Sequence, residues 1–272
     1  MSIITISSEM GALRDDLAQE LCQRGKLELV DPRTLMDAVQ GLVDINRDEH
    51  QLLAEQGPAM LDLSDRRRRV FAALLELVVL QYAQKGNVVI VGRGGNFLLR
   101  LVPGVLRVRL VAPLELRAQR LAARENLDLE RARQLASVVD QQRRTYMAHI
   151  FAADWASPLN YDLVLNLGRL SFDQALSTIL DLTAYPEYQP SSESDRMLAG
   201  MVLAARARRR LVEEVDVHAL EVEALDGQLT LAGYVGSRED QKRAQTVCEE
   251  VEGVERVQSR LEVSPTLLKF LP

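Results

Sequence analysis

Apolar positions follow two rhythms along this chain. Over the first two thirds, short β-branched runs alternate with stretches in which leucines recur every three or four residues. In the last third, strict alternation of apolar and polar residues takes over. Residues 2–7, 27–30, 88–91, 105–111 and 162–166 read as strands. Leu13, Leu17 and Leu21 form one helical stripe, and residues 32–39, 70–82, 114–125, 128–149 and 172–182 carry helical spacing. Strand and helix alternating at this pace predict an α/β fold, a mainly parallel sheet covered by helices on both faces.

The second rhythm begins after residues 184–195, AYPEYQPSSESD, where two prolines, three serines and three acids without periodicity read as a linker. Residues 198–212 are amphipathic, 220–225 and 229–235 alternate around the tight-turn pair Asp226-Gly227, and 238–251 is helical. Gly253 then turns the chain into a last alternating strand, 254–263. The order α-β-β-α-β predicts a small α+β domain. The expected division is a first domain at 1–183, a linker at 184–195, a second domain at 196–265 and a tail at 266–272. Residues 44–64, with Gly57-Pro58, are poorly patterned and read as irregular helix and loop.

Composition narrows the class. With 47% hydrophobic and 26% charged residues over 272 positions, each domain has enough apolar side chains for a core. The formal charge of −6 is spread evenly: residues 1–194 hold 22 basic and 25 acidic side chains, residues 195–272 hold 11 and 14. Neither part has the basic excess of a nucleic-acid binder. No secretory signal or 18-residue apolar window occurs, which predicts a cytoplasmic protein without a transmembrane segment. Cys22 and Cys248 lie far apart and read as buried thiols. His50, His149 and His218 are isolated, so no metal site is expected.

Candidate chemistry gathers where strands end. Val88–Val91 delivers Gly92-Arg93-Gly94-Gly95, a turn stripped of side chains except for one guanidinium. In an open α/β sheet such a position faces the crevice at the carboxyl ends of the strands, where ligands sit. The first strand is followed by Ser8-Glu9-Met10-Gly11-Ala12-Leu13-Arg14-Asp15-Asp16, the place of a phosphate-binding loop. GxxxxGK[ST] is absent, however, and Asp15 and Asp16 suit a helix N-terminus while repelling a triphosphate. An N-capped structural helix and a working phosphate cradle are both open here. Arg66 to Arg69 read either as a solvated face or as a phosphate-facing cluster. Asp140, Arg143 and Tyr146, three residues apart, share one helix face.

The segments VIVGRGGNFLL, VLRVRLVAPLELRAQRLAARE and DQQRRTYMAHIFAADWASPLNYDLVLNLGRL resemble the cytidylate-kinase-like family within the nucleoside monophosphate kinases, over residues 1–183. The segments DGQLTLAGYV and VEGVERVQSRLEV, with Gly227, Gly233 and Gly253, resemble a BON domain, a module associated with phospholipid or other hydrophobic ligands. The resemblance implies a P-loop kinase-like sheet plus a BON-like α+β domain. It implies phosphate contacts from Arg93, at the family's Gly-Arg motif, and from Arg143, at its Asp-x-x-Arg-x-x-Tyr pattern, as the catalytic pair. Gly11, Arg14 and Gly92 would line the nucleotide site. Arg117, Arg120 and Arg124 fall where lid-side arginines begin, or else form exposed helix rungs. The departures are at the first loop: Leu13 and Arg14 stand where the family has glycines, Asp15 where it has a basic residue, and Gly94 where true cytidylate kinases have an aspartate. The resemblance and its departures together imply a regulatory pseudo-kinase that binds a nucleotide or another phosphorylated small molecule. An active kinase using ATP and Mg²⁺ on a nucleoside monophosphate or other small acceptor is the alternative, and a lipid- or hydrophobic-ligand module built on the BON domain is a further one.

Overall fold

A computed structural model of the chain describes residues 2–42 and 65–264. The poorly patterned segment 44–64 lies outside the described residues, as does the tail 266–272. Among the described residues the chain divides into two compact units, one of residues 2–42 and 85–191, the other of residues 65–84 and 192–264.

The first unit is built on β1 (Ile3–Ser8), β2 (Glu28–Val30), β3 (Val88–Val91), β4 (Val105–Val111) and β5 (Leu163–Asn166). All neighbours are parallel, in the order β2-β3-β1-β4-β5. The chain steps from β1 to one side, through β2 and β3, and then crosses to the other side at β4. The crevice between β1 and β3 at their carboxyl ends is therefore the topological switch point. Every residue of β1 and β3 is buried, which is why these strands read as unbroken apolar runs instead of alternating ones. Ile4, Ile6, Val89, Val91, Leu106 and Val108 face Leu17 and Leu21 of α1 (Arg14–Gly25), together with Leu176 and Ile179 of a later helix, in one core cluster. The remaining helices of the two units, in chain order, are α2 (Pro32–Gln40), α3 (Asp65–Lys85), α4 (Gly95–Leu98), α5 (Leu114–Glu125), α6 (Leu129–Phe151) and α7 (Phe172–Thr183). Asp31, Asp128 and Ser171 cap α2, α6 and α7 through side-chain oxygens.

The second unit holds α8 (Ser192–Glu214), β6 (Val217–Leu225), β7 (Gln228–Val235), α9 (Arg238–Glu249) and β8 (Arg256–Val263). β6 pairs with β7 antiparallel and β7 with β8 parallel. Leu203, Ala207 and Leu211 of α8 and Val247 and Cys248 of α9 cover one face of this sheet. α3 was expected with the first domain, yet most of its length belongs to this unit: Arg69 Nη1 donates to the Val217 carbonyl at 2.9 Å, and Glu76 pairs with Arg208 of α8. Arg69, at least, is an anchor to the sheet and not a solvated rung. The expected linker is also shorter than its composition suggests. Tyr188 packs on the first core, and α8 starts at Ser192, six residues ahead of the amphipathic stretch. Serines with Glu193 and Asp195 in a first turn complement the helix dipole, so the stretch read as a spacer is largely a helix start.

Two cysteines lie apart, one in each unit. Burial raises the Cys22 thiol to about 11 and the Cys248 thiol to about 12. At pH 8 the thiolate fraction of Cys22 is then on the order of one in a thousand. Both thiols should resist alkylation in the native protein at pH 8 and react promptly in 6 M guanidinium, as followed by mass spectrometry.

Gly233 sits opposite an irregularity of β6 between His218 and Glu221. Its φ is 139°, and a Cβ there would lie 2.8 Å from the His218 carbonyl oxygen. Gly233→Ala should cost the second unit about 1–3 kcal/mol, read as a lowered urea midpoint. An unchanged midpoint would mean that the bulge is not held by this close approach.

Candidate functional site

At the switch point, β1 ends in Ser8, and Glu9 to Leu13 turn into α1. Gly11 takes φ 81°, and a Cβ on it would fall 2.8 Å from the Arg117 carbonyl oxygen, so only glycine lets this turn lie against α5. Leu13 holds φ 56°, a left-handed conformation that costs a side-chain-bearing residue roughly 1–2 kcal/mol. The turn of a phosphate loop is thus kept where its glycine is not.

The main chain of this turn is occupied from below. The Met10 N–H donates to Asp140 Oδ1 at 2.8 Å, and Arg117 Nη1 donates to Asp140 Oδ2 at 2.7 Å and to the Met10 carbonyl at 3.0 Å. Arg117 Nε donates to the Ala112 carbonyl at 2.8 Å and lies 3.4 Å from Glu9 Oε2, which accepts from the Ala112 N–H at 3.2 Å. Glu9, Arg117 and Asp140 therefore clamp the loop to β4, α5 and α6.

Above the turn three arginines converge. Gly92, Arg93 and Gly94 take φ of 70°, 53° and 75°, a left-handed run that turns the chain sharply out of β3. Gly94 has no room for a side chain, since a Cβ would lie 2.3 Å from the Phe151 ring. Arg93 is 8% exposed. Arg143 Nη1 donates to the Ser8 carbonyl at 2.7 Å. Arg14 Nη1 reaches across the loop to within 3.9 Å of the point where a Cβ on Gly92 would stand. Burial lowers Arg93 to about 10, Tyr146 opposes the shift and the Arg14 charge adds to it. Burial also lowers Arg143 to about 10; Arg14 and Arg93 add to that, while Asp140 and Asp15 oppose it. Arg93 and Arg143 stay charged at neutral pH, repelled by each other and by Arg14 and poorly hydrated, a setting that favours a bound anion.

Behind the cluster, Trp155 Nε1 donates to Ser7 Oγ at 2.8 Å. The Arg109 guanidinium lies 4.1 Å over the Trp155 ring and donates to the Trp155 carbonyl at 2.9 Å and to Tyr161 Oη at 3.3 Å. This buried set positions the end of β1.

Of the residues expected to carry chemistry, the structure brings together Arg14, Gly92, Arg93 and Arg143, while Gly11 lies against Arg117 and Leu121 of α5. Arg117 lies beneath the loop as a brace. Arg120 donates to the Leu167 carbonyl at 2.9 Å, and Arg124 is exposed, 3.7 Å from Asp15 and 3.5 Å from Glu125. Asp140, Arg143 and Tyr146 do rise from one side of α6, but Asp140 turns to Arg117 and Met10. Glu9, Arg109 and Trp155 escaped sequence reasoning, because a charged residue inside a strand or loop pattern has no spacing signal that reports its partner.

The family pattern asks for ATP and Mg²⁺. The donors present do not fit them: the Met10 N–H is turned to Asp140, the side chains of Leu13 and Arg14 take the place of bare backbone, and Asp15 and Asp16 open α1.

The parallel sheet with its switch point and phosphate-loop turn defines a P-loop kinase-type α/β domain, joined to a small mixed-sheet α+β domain. The chain belongs to the cytidylate kinase-like family, whose profile matches residues 3–169, and residues 202–265 match the BON domain. A cytidylate kinase of Methanopyrus kandleri is 29% identical over 186 residues, 65% of this chain and 90% of that protein. A cytidylate kinase of Pyrobaculum arsenaticum is 28% identical over 184 residues, 67% and 93% of the two chains. An uncharacterized protein from Eubacterium ventriosum, 19% identical, superposes with a TM-score of 0.55 over 68% of this chain and 99% of its own, a likeness of fold. No helix among the described residues is long and apolar enough to cross a membrane.

Arg117→Met would take from buried Asp140 the cation hydrogen-bonded to it, and from Glu9 a near partner, and should destabilise the first unit by about 3–5 kcal/mol in urea titration. Adding Asp140→Asn should recover a substantial part, because the neutral amide still accepts from Met10. If the double variant is no more stable than the single one, the ion pair is not what holds the loop.

Proposed function

We propose that residues 1–183 form a pseudo-kinase domain that binds a nucleotide or another phosphorylated small molecule without passing a phosphoryl group from ATP, and that it works in the cytoplasm beside its BON domain. The observation that carries this reading is the convergence of Arg14, Arg93 and Arg143 on the carboxyl ends of β1 and β3, opposite a loop whose cradle is clamped and crowded. Arg93 and Arg143 are the arginines that hold the phosphate. The strained conformation of Arg93 supports it, because such strain persists where the surrounding structure imposes it, commonly at binding sites. In the second unit a cavity of about 440 Å³, apolar at Met197, Met201, Ala204, Val222 and Leu225 and charged at Glu76, Glu193, Arg196, Arg208 and Glu223, is a place where the BON domain would take an amphipathic ligand such as a phospholipid, or another hydrophobic ligand.

A second reading, an active kinase using ATP and Mg²⁺, is favoured by the left-handed turn that survives at Leu13 and by relatives that carry the name cytidylate kinase. The two separate in one assay. Trp155 is the single tryptophan and is hydrogen-bonded next to the site, so its emission should follow titration with nucleoside monophosphates. Binding should weaken tenfold or more in Arg93→Gln, about the cost of one charge-assisted hydrogen bond. ATP consumption over a panel of nucleoside monophosphates should stay at background. Turnover that disappears in Arg93→Gln would establish the kinase instead.

A further inference from the structure

The first helical residues of α1 hold an ion pair that ordinary helix geometry does not give. Neighbouring side chains on a helix point about 100° apart and do not face each other. Yet Arg14 Nε and Nη2 both lie on Asp15 Oδ1, at 2.8 Å and 2.7 Å. Leu13 just ahead is left-handed, so Arg14 stands at the edge of the helix and can fold round its end. The third nitrogen, Nη1, is the one that points across to Gly92. Arg14 thus spans two places, a carboxylate at the rim and the arginine cluster inside. The burial of the pair runs the same way: the Arg14 side chain is 20% exposed and that of Asp15 48%. The other oxygen of Asp15 has a second partner, since Arg124 Nη1 lies 3.7 Å from Oδ2.

We propose that Arg14 and Asp15 form a counter-ion switch, in which a phosphate monoester dianion entering between Arg93 and Arg143 draws Arg14 away from Asp15, and Asp15 competes with that ligand for the guanidinium. The inference rests on the anion-binding reading above and adds to it a control on affinity by one exposed carboxylate. Charge supports the monoester class. Asp140 is committed to Arg117 and the Met10 N–H. Once Arg14 leaves Asp15 to Arg124, the guanidinium groups of Arg14, Arg93 and Arg143 can neutralise a monoester dianion, whereas the charge of a triphosphate exceeds theirs. The exchange leaves no orphan, because Arg124 remains beside Asp15 when Arg14 departs. Ligand binding trades one half-exposed ion pair, a weak interaction, for charge-assisted bonds in a desolvated site, which are stronger. Neither residue follows the family pattern, in which a glycine precedes a basic residue here, so the device belongs to this chain.

The test uses the full-length protein and calorimetric titration with inorganic phosphate and, separately, with CMP, on the wild type, Asp15→Asn, Arg14→Gln and the double variant. Asp15→Asn should bind the tested anions about fivefold more tightly, and Arg14→Gln about tenfold more weakly. The decisive arm is the double variant, in which the Asp15 substitution should have no further effect. Equal tightening by Asp15→Asn with and without Arg14 would overturn the switch, since Asp15 would then act on the anion directly. No tightening at all, with wild-type binding intact, would also overturn it while leaving the binding reading in place. If neither anion binds the wild type and Arg93→Gln behaves the same, the binding reading itself fails and the switch with it. Tightening for CMP and phosphate alike assigns the recognition to the phosphate alone, whereas CMP binding in the absence of phosphate binding assigns a share to the nucleoside. Asp15 is half-exposed in a first helical turn, so its asparagine variant should fold; a thermal melt on each sample verifies this.

Discussion

The geometry of the first unit depends on Asp140. Its two oxygens hold the Met10 N–H on one side and Arg117 on the other, while Arg117 in turn holds the carbonyls of Met10 and Ala112. One buried carboxylate thereby ties the loop after β1 to α5 and α6. Such a pair adds little net stability, because desolvation offsets most of its attraction. What it contributes is definition: every alternative placement of the loop leaves a buried charge or a buried N–H without a partner. Of the main-chain groups held in this way, the Met10 N–H is a donor that an anion could otherwise use. The clamp that keeps the loop in shape is therefore one of the features on which the pseudo-kinase proposal rests.

The cationic side of the crevice is a different balance. Arg93 and Arg143 are brought together by the backbone, one by three successive left-handed residues after β3 and the other by its bond to the Ser8 carbonyl. Burial and like charge push both toward deprotonation, although about 10 is still far enough above neutrality to keep them charged. Such a cluster at a topological switch point is what the anion-binding proposal rests on. The bonds from Trp155 to Ser7, and from Arg109 to Trp155 and Tyr161, hold the strand end from behind, so the cluster cannot relax by moving β1.

The strand of residues 88–91 and its arginine were legible in the sequence because a fully buried parallel strand is written as an unbroken apolar run, and a glycine turn after it leaves one side chain to notice. The helices at 114–125 and 172–182 were legible through their stripes. The clamp was not. Glu9, Arg117 and Asp140 are 108 and 23 residues apart along the chain, and nothing in their local pattern distinguishes a buried brace from a solvated charge. Arg117 was legible as an arginine of interest but not as one facing the wrong side of the loop. The helix that starts at Ser192 was hidden for another reason: serine and acidic residues favour both solvated spacers and helix first turns, and only the residues that follow decide between them. α3 was placed with the wrong neighbours because an apolar helix interior says that it is buried, not against what.

Leu13 carries the last step. A leucine in left-handed geometry is costly, and a glycine there would relieve it, so the conformation cannot come from the residue. It comes from what flanks it, the Asp140 clamp on the N-terminal side and the burial of Leu17 and Leu21 of α1 on the other. Leu13 itself is partly buried against the same core, and the apolar area it covers offsets the strain. The turn therefore outlives the glycines that a phosphate requires, because packing and one carboxylate hold it and not the ligand. Likeness of backbone at this loop is consequently poor evidence for ATP chemistry, and the side chains that now fill it, Arg14 above all, are the better guide to what the site does.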